Sequence, residues 1–267
     1  MLGALTSHWP EYLMEGAELG VLMMLVCGFA TLLEYPASPL HGALTNAAAR
    51  RAVMAVAMAA TVVAIIYSPW GRQSGAHFNP AVTLTFFRLG KVAPWDAGFY
   101  VGAHFAGGVL GVLVAAAVLG RWLTSPSVNY AVTTPGPGGA AAAFAGEFAT
   151  SFVFMTVVLI AINAPRLERF TGLFVGVMVA AFIFVETPLS GMSINPARTL
   201  ASAVPARVWT GLWVYFTAPS AGMLLAAEAY LRVSGRRVRT ANLRHDDRKR
   251  CIFRCDHHEG VPLAAEG

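Results

Sequence analysis

The sequence contains the tripeptide Asn-Pro-Ala twice, at Asn79–Ala81 and, 116 residues later, at Asn195–Ala197. Asn is a favoured N-cap residue, and Pro is tolerated at the first helical position because its missing N–H is not needed there. Each tripeptide therefore predicts a helix start whose Asn amide can donate hydrogen bonds. Two such sites, in corresponding places of two hydrophobic halves, predict a pore or carrier built from an internal repeat.

Three charged residues lie within apolar sequence, where an ionisable side chain is costly and by default functional. Arg198 directly follows the second tripeptide, and Glu18 and Glu147 lie in the first and fourth apolar segments. Arg198 and two helix N-termini oppose the passage of cations. The two carboxylates can relay protons or accept hydrogen bonds from the backbone, and the residues alone leave both roles open.

The composition indicates a membrane protein. Hydrophobic residues make up 56% of the chain, charged residues only 12%, and the mean hydropathy is +0.58, whereas soluble domains carry about 25% charged residues. The net charge of +5 does not predict nucleic-acid binding, because nine of the 19 Lys and Arg residues lie between 232 and 254. Neither a nucleophile–base pair nor a phosphate loop is visible, so no enzyme is predicted. No Lys or Arg precedes the first apolar run, so no cleavable signal peptide is expected.

Six apolar segments approach or reach the length of about 20 residues that a bilayer requires. They lie at roughly 12–33, 52–68, 96–119, 141–164, 171–187 and 209–231. Two shorter apolar pieces, at about 80–88 and 196–204, begin at the Asn-Pro-Ala sites. Short segments of this kind are typical of half-helices that enter a membrane protein from one face.

The segments form two repeats, at about 12–119 and 141–231, each with three spans and one half-helix. Because three is odd, the repeats have inverted topology, and their half-helices enter from opposite faces and can meet near the middle. The predicted fold class is an all-α membrane protein with six transmembrane helices and two half-helices, forming a channel domain over residues 1–231. Residues 232–267 are predicted to be a basic, disordered tail.

The positive-inside rule predicts a multi-pass protein of the cell (inner) membrane with both termini cytoplasmic. In this orientation 14 of the 19 Lys and Arg residues are cytoplasmic. Arg50, Arg51, Arg121, Arg198 and Arg207 are the ones left on the other face.

The segments Ser74–Thr83 and Ser193–Arg198 closely resemble the two pore loops of the major intrinsic proteins, the aquaporin family. The likeness covers about residues 12–231. It implies an aquaporin-like, passive channel of bacterial type for water and small uncharged solutes such as glycerol, urea or metalloid acids, which excludes ions and protons. It also implies a homotetramer in the lipid bilayer, with one pore per subunit. No cofactor or metal is predicted for the channel.

The resemblance assigns roles to individual residues. The pore motifs are Asn79, Pro80, Ala81, Asn195, Pro196 and Ala197. Arg198 is expected to be the selectivity-filter arginine, and Glu18 and Glu147 to hold the half-helices by accepting hydrogen bonds from pore-loop backbone. His77 is expected to brace its loop, and His104 stands where the family usually has Gln.

The other filter positions depart from the water-channel pattern. Counting from the two motifs places Ala59, Ile183 and Met192 there, where water channels usually have Phe, His and a small residue or Cys. A slip of one residue replaces Ala59 with Met58. An apolar filter around Arg198 is similar to that of family members that pass uncharged solutes, so water together with small neutral solutes is the predicted cargo.

Two alternatives stay open. Thr199, where glycerol channels usually have Asp, and the pair Tyr215-Phe216 are typical of a strictly water-selective aquaporin. A coupled secondary transporter also uses inverted repeats and broken helices. It needs a mobile titratable group, and Glu186 is the one nearby candidate besides the two span glutamates.

The tail carries Cys251, Cys255, His257 and His258. Cys-x3-Cys followed by His-His can bind a metal ion, but ligand spacing alone is a weak signal. A basic tail lying on an anionic leaflet is the favoured interpretation.

Overall fold

The computed structural model describes residues 1–235 and 238–255, which are helical without β-strands. Eight helices carry the architecture of this part of the chain. They are α1 (Leu2–Glu34), α2 (Ala47–Tyr67), α3 (Pro80–Arg88), α4 (Pro94–Leu119), α5 (Gly139–Asn163), α6 (Thr171–Ser190), α7 (Pro196–Ala206) and α8 (Leu212–Ser234). Short helical turns, such as Gly71–Ser74 before α3, join some of them.

The two half-helices begin at the Asn-Pro-Ala sites, as the sequence predicts. Oδ1 of Asn79 accepts a hydrogen bond from the amide of Ala81 at 2.9 Å, and Oδ1 of Asn195 accepts one from Ala197 at 3.0 Å. Pro80 and Pro196 occupy the first helical positions. Helix α3 has nine residues and α7 has 11, so at 1.5 Å per residue neither crosses a bilayer.

Within the described part of the chain, five helices are long and apolar enough to cross a membrane: α1, α2, α4, α5 and the helix that ends at Ser190. The sixth predicted span forms α8, which has 23 residues and packs extensively along α5. Large apolar side chains remain exposed along the outside of the bundle, among them Val56, Leu110, Val118, Val177 and Val185. This outer surface matches the chemistry of lipid tails, as a multi-pass membrane protein requires.

Helices α1 and α4 cross closely through glycines. A Cβ atom built on Gly107 would overlap the backbone of Gly16, and one built on Gly111 would overlap the backbone of Gly20. Small residues at such crossings let two backbones approach within a membrane, where dispersion contacts replace the hydrophobic effect.

We expect Gly111→Ala to destabilise the protein by about 1–3 kcal/mol, because the added methyl group must push two backbones apart. Gly102→Ala in the same helix is the matched control, since nothing lies within 4 Å of a Cβ atom at Gly102. Thermal unfolding of the detergent-solubilised variants measures both effects. Equal melting temperatures for the two variants would contradict the role assigned to this crossing.

The tail segment, defined as residues 238–255, lies against the face at which α1 begins and α5 ends, which we term the tail face. The amide of Arg239 donates to Oδ1 of Asn163 at 2.8 Å, and the amide of Arg254 donates to the carbonyl of Lys91 at 3.0 Å. This differs from the disordered tail expected from the sequence. The reason is that Leu243 and Phe253 are apolar anchors, exposed by only 2% and 7%. His257 and His258 lie outside the described residues.

Candidate pore

The N-termini of the two half-helices meet through their asparagines. Nδ2 of Asn79 donates to the carbonyl of Ile194 at 2.8 Å, and Nδ2 of Asn195 donates to the carbonyl of Phe78, also at 2.8 Å. An amide nitrogen carries two hydrogens, so each asparagine retains a second donor beyond this mutual contact. Both side chains line the same cavity, and a solute oxygen inside it can accept hydrogen bonds from them.

The loops that lead into the half-helices have an unusual backbone. Non-glycine residues adopt positive φ at Ala76 (55°) and Phe78 (30°) in the first loop and at Met192 (51°) and Ile194 (48°) in the second. A β-branched residue such as Ile194 is rarely found there, and such positions cost of order 1–3 kcal/mol each. The surrounding contacts must therefore hold both loops in this shape.

Buried carboxylates provide those contacts. Oε1 of Glu147 accepts a hydrogen bond from the amide of Ser193 at 2.7 Å, and its Oε2 accepts one from Ile194 at 2.6 Å. In the first repeat the corresponding acceptor is Glu15, which binds the amides of His77 and Phe78 at 2.9 and 2.6 Å. Backbone support by a span glutamate is thus found in both repeats.

The assignment of Glu18 to this role in the first repeat was wrong in detail. Glu18 instead accepts a hydrogen bond from Oγ of Ser74 at 3.0 Å. Positions 15 and 18 are three residues apart in α1 and so lie on the same helical face. The sequence places both carboxylates toward the loop, but it does not determine which one reaches the backbone amides.

Two histidines brace the first loop. Nε2 of His104 lies 2.7 Å from Oε2 of Glu15, so His104 orients the carboxylate that holds the loop. Nδ1 of His77 lies 3.0 Å from Oγ1 of Thr83, and its Nε2 lies 2.7 Å from the carbonyl of Ala241 in the tail segment. His77 therefore connects the first half-helix to the tail.

Two buried tyrosines, to which sequence reasoning gave no role in the loops, hold them at a second point. The hydroxyl of Tyr100 donates to the carbonyl of Ser74, and that of Tyr215 donates to the carbonyl of Ser190. The serines are 116 residues apart, like the two asparagines, and the tyrosines are 115 apart. A search for residues repeated at an offset of 115 or 116 would have found both pairs.

A cavity of about 330 Å³ passes between the two repeats, and most of its lining side chains are apolar. Arg198, Ile183 and Met192 line it, together with both asparagines. The guanidinium of Arg198 is fixed from one side, because its Nη1 donates to the carbonyl of Ala131 at 3.1 Å.

Helix α2 contributes Met58 to the cavity in place of Ala59. The lining residues of α2 are Met54, Met58 and Val62, which follow one another at intervals of one helical turn. Ala59 is rotated away from this stripe, and its carbonyl lies against Gly176 of α6. The structure therefore agrees with the alternative in which Met58 replaces Ala59. The longer side chain of methionine enlarges the apolar part of the cavity wall.

A model of the major intrinsic protein family matches residues 6–230. The chain belongs to the major intrinsic protein family. Its members are membrane channels, and this major intrinsic protein accordingly combines a multi-pass helical fold with a central cavity. The family assignment agrees with the resemblance seen in the two pore loops.

This major intrinsic protein is similar to plant aquaporins. It is 35% identical over 218 residues to aquaporin NIP6-1 of Arabidopsis thaliana, covering 80% of the chain and 67% of that protein. It is 36% identical over 212 residues to aquaporin NIP2-3 of Zea mays, covering 79% of the chain and 65% of that protein. The alignments thus span about two thirds of the length of these relatives.

The fold is shared with a solved structure, that of the aquaglyceroporin from Plasmodium falciparum. The TM-score is 0.68 at 19% sequence identity, and the match covers 85% of this chain and 97% of that chain. At this identity the similarity establishes the aquaporin fold of this major intrinsic protein.

Proposed function

We propose that this protein is a passive channel for water and small uncharged solutes and that it excludes ions and protons. The observation that carries the proposal is the meeting of Asn79 and Asn195 in a cavity whose other walls are largely apolar. Two amide donors beside apolar walls suit a solute with a hydrogen-bond acceptor on one face. Glycerol, urea and uncharged metalloid acids meet this description, as water does.

Exclusion of charge is supported by the electrostatics of the site. Two half-helices direct the positive ends of their dipoles at the cavity, and Arg198 adds a full positive charge to its lining. A water molecule that accepts hydrogen bonds from both asparagines cannot also pass protons along the file. A coupled transporter is disfavoured, because its candidate titratable groups are engaged in holding the loops. Glu147 accepts hydrogen bonds from loop amides, and Glu18 and Glu186 accept them from the buried serines Ser74 and Ser190.

The proposed filter consists of Arg198, Met58, Ile183 and Met192, all of which line the cavity. The proposed orientation puts the tail face on the cytoplasmic side of a cell (inner) membrane, because most basic residues lie on that face. We further propose a homotetramer with one pore per subunit.

Light scattering by proteoliposomes during rapid mixing tests the proposal. We expect water and at least one of glycerol, urea and boric acid to cross well above the rate of empty liposomes. Permeation of water with every solute at background would favour the strictly water-selective alternative. Ile183→His adds a donor and a larger polar wall, so it should shift the ratio toward water, and an unchanged ratio would remove Ile183 from the filter.

A further inference from the structure

The tail segment contains a cluster of metal-ligating side chains that the pore does not use. The ligand atoms of His245, Cys251 and Cys255 all lie within 4.8 Å of one another, and the two Sγ atoms are 2.9 Å apart. Nδ1 of His245 lies 3.0 Å from Oδ1 of Asp247. A carboxylate in this position orients a histidine that ligates a metal through its other nitrogen.

The donor set defines the class of ion. Two cysteine sulfurs and one imidazole suit a borderline-soft divalent cation such as Zn²⁺, whereas Mg²⁺ and Ca²⁺ prefer oxygen ligands. With Zn–S bonds of about 2.3 Å, two sulfurs on a tetrahedral zinc ion lie about 3.8 Å apart. The Sγ atoms of Cys251 and Cys255 would therefore need to move apart by roughly 1 Å, which rotation of the two side chains can supply.

The cluster lies next to the contacts between the tail segment and the pore. Leu243, two residues before His245, lines the cavity, and its amide donates to the carbonyl of Gly75 at 3.1 Å. Phe253, midway between the two cysteines, stacks on His77 with ring centroids 5.2 Å apart and planes inclined by 12°. An ion bound by the three ligands would link the two ends of the loop formed by residues 245–255. The contacts of Leu243 and Phe253 lie near these two ends.

We propose that His245, Cys251 and Cys255 bind Zn²⁺ or a chemically similar ion, and that the bound ion holds Leu243 across the tail-side end of the cavity. The first half of the proposal concerns binding alone. The second half rests on the proposed channel function, since it states that metal-bound protein conducts less than metal-free protein. Without the ion, the loop is held by its remaining contacts, such as the hydrogen bond from Leu243 to Gly75. These contacts alone hold the loop less firmly than they do together with the ion, so Leu243 can leave the cavity.

Titration calorimetry of the reduced, purified full-length chain with Zn²⁺ tests the binding half. We expect one ion per chain, with affinity weakened at least about tenfold by Cys255→Ser, the scale on which metal sites respond to a lost supporting group. Cys27→Ser is the matched control, because this buried cysteine lies in α1 and outside the cluster. Absence of binding, equal affinity in Cys255→Ser and the unchanged protein, or a Cys251–Cys255 disulfide that resists treatment with reductant would each overturn the site.

Proteoliposomes prepared with Zn²⁺ or with a chelator test the second half. We expect Zn²⁺ to lower water permeability several-fold in the unchanged protein, and to have no effect on Cys255→Ser. Leu243→Ala should remain permeable with the ion bound, because the side chain that caps the cavity has been shortened. Zinc binding without any change in permeability would overturn the capping role. If no variant conducts even with chelator, the channel function fails, while calorimetry still reports on the site.

Discussion

Replacing Glu147 with Ala is expected to abolish permeation and to destabilise the protein severely. The change leaves the amides of Ser193 and Ile194 without their acceptor. Hydrogen bonds to charged groups contribute roughly 1.5–3 kcal/mol each, so about 3–6 kcal/mol is lost. The positive φ angles at Met192 and Ile194 then have no support from α5, and the second loop should relax out of the cavity.

Thermal unfolding in detergent and water permeability of proteoliposomes measure the two effects of Glu147→Ala. Glu228→Ala is the control, because its ion pair with Arg88 at 2.7 Å is partly exposed and such pairs contribute about 0–1 kcal/mol. Glu15→Ala should behave like Glu147→Ala, whereas Glu18→Ala should be milder, since Glu18 binds a serine hydroxyl rather than two amides. A folded, conducting Glu147→Ala protein would show that the loop keeps its shape without the carboxylate.

Replacing Arg198 with Ala is expected to admit cations and protons and to raise the permeability to neutral solutes. A unit charge about 4 Å from a permeating cation opposes it by about 4 kcal/mol at an effective dielectric constant of 20. Loss of that barrier corresponds to a roughly thousandfold increase in the rate at which cations pass. The shortened side chain also frees the carbonyl of Ala131 and enlarges the mouth of the cavity.

The leak through Arg198→Ala can be read from the decay of a pH gradient across proteoliposomes at matched protein density. Arg207→Ala is the matched control, because Arg207 follows the same half-helix at its far end and is exposed. A decay rate equal to that of the unchanged protein would show that the helix dipoles and the two asparagines exclude ions without Arg198.

The half-helices and the inverted repeats were predictable, because they depend on local signals. Asn and Pro at a helix start act within a few residues, and the lengths of the apolar runs set which segments can span. The choice between Glu15 and Glu18, or between Met58 and Ala59, depends on how two helices are rotated about their axes. That rotation is fixed by packing partners, such as Gly176 against Ala59, which neither composition nor spacing contains.

The tail was the hardest segment to predict. Its basic residues are typical of a solvated chain. It is held on the protein by four buried apolar residues of the described segment, Val238, Ala241, Leu243 and Phe253. Four apolar residues scattered among many charges give no clear periodic pattern. Their burial depends on a surface formed by loops that are far away in the sequence, so the contact becomes visible only in three dimensions.

The reciprocal hydrogen bonds of the two asparagines also constrain the order of biosynthesis. Asn79 is synthesised long before Ile194, whose carbonyl it binds. The first half-helix therefore lacks this hydrogen-bond acceptor while α4, α5 and α6 are inserted. Neither half of the chain can complete its own share of the channel. Closure of the central contact is therefore a late event in maturation, and a truncated chain that ends before residue 194 should insert its helices without ever forming a working pathway across the membrane.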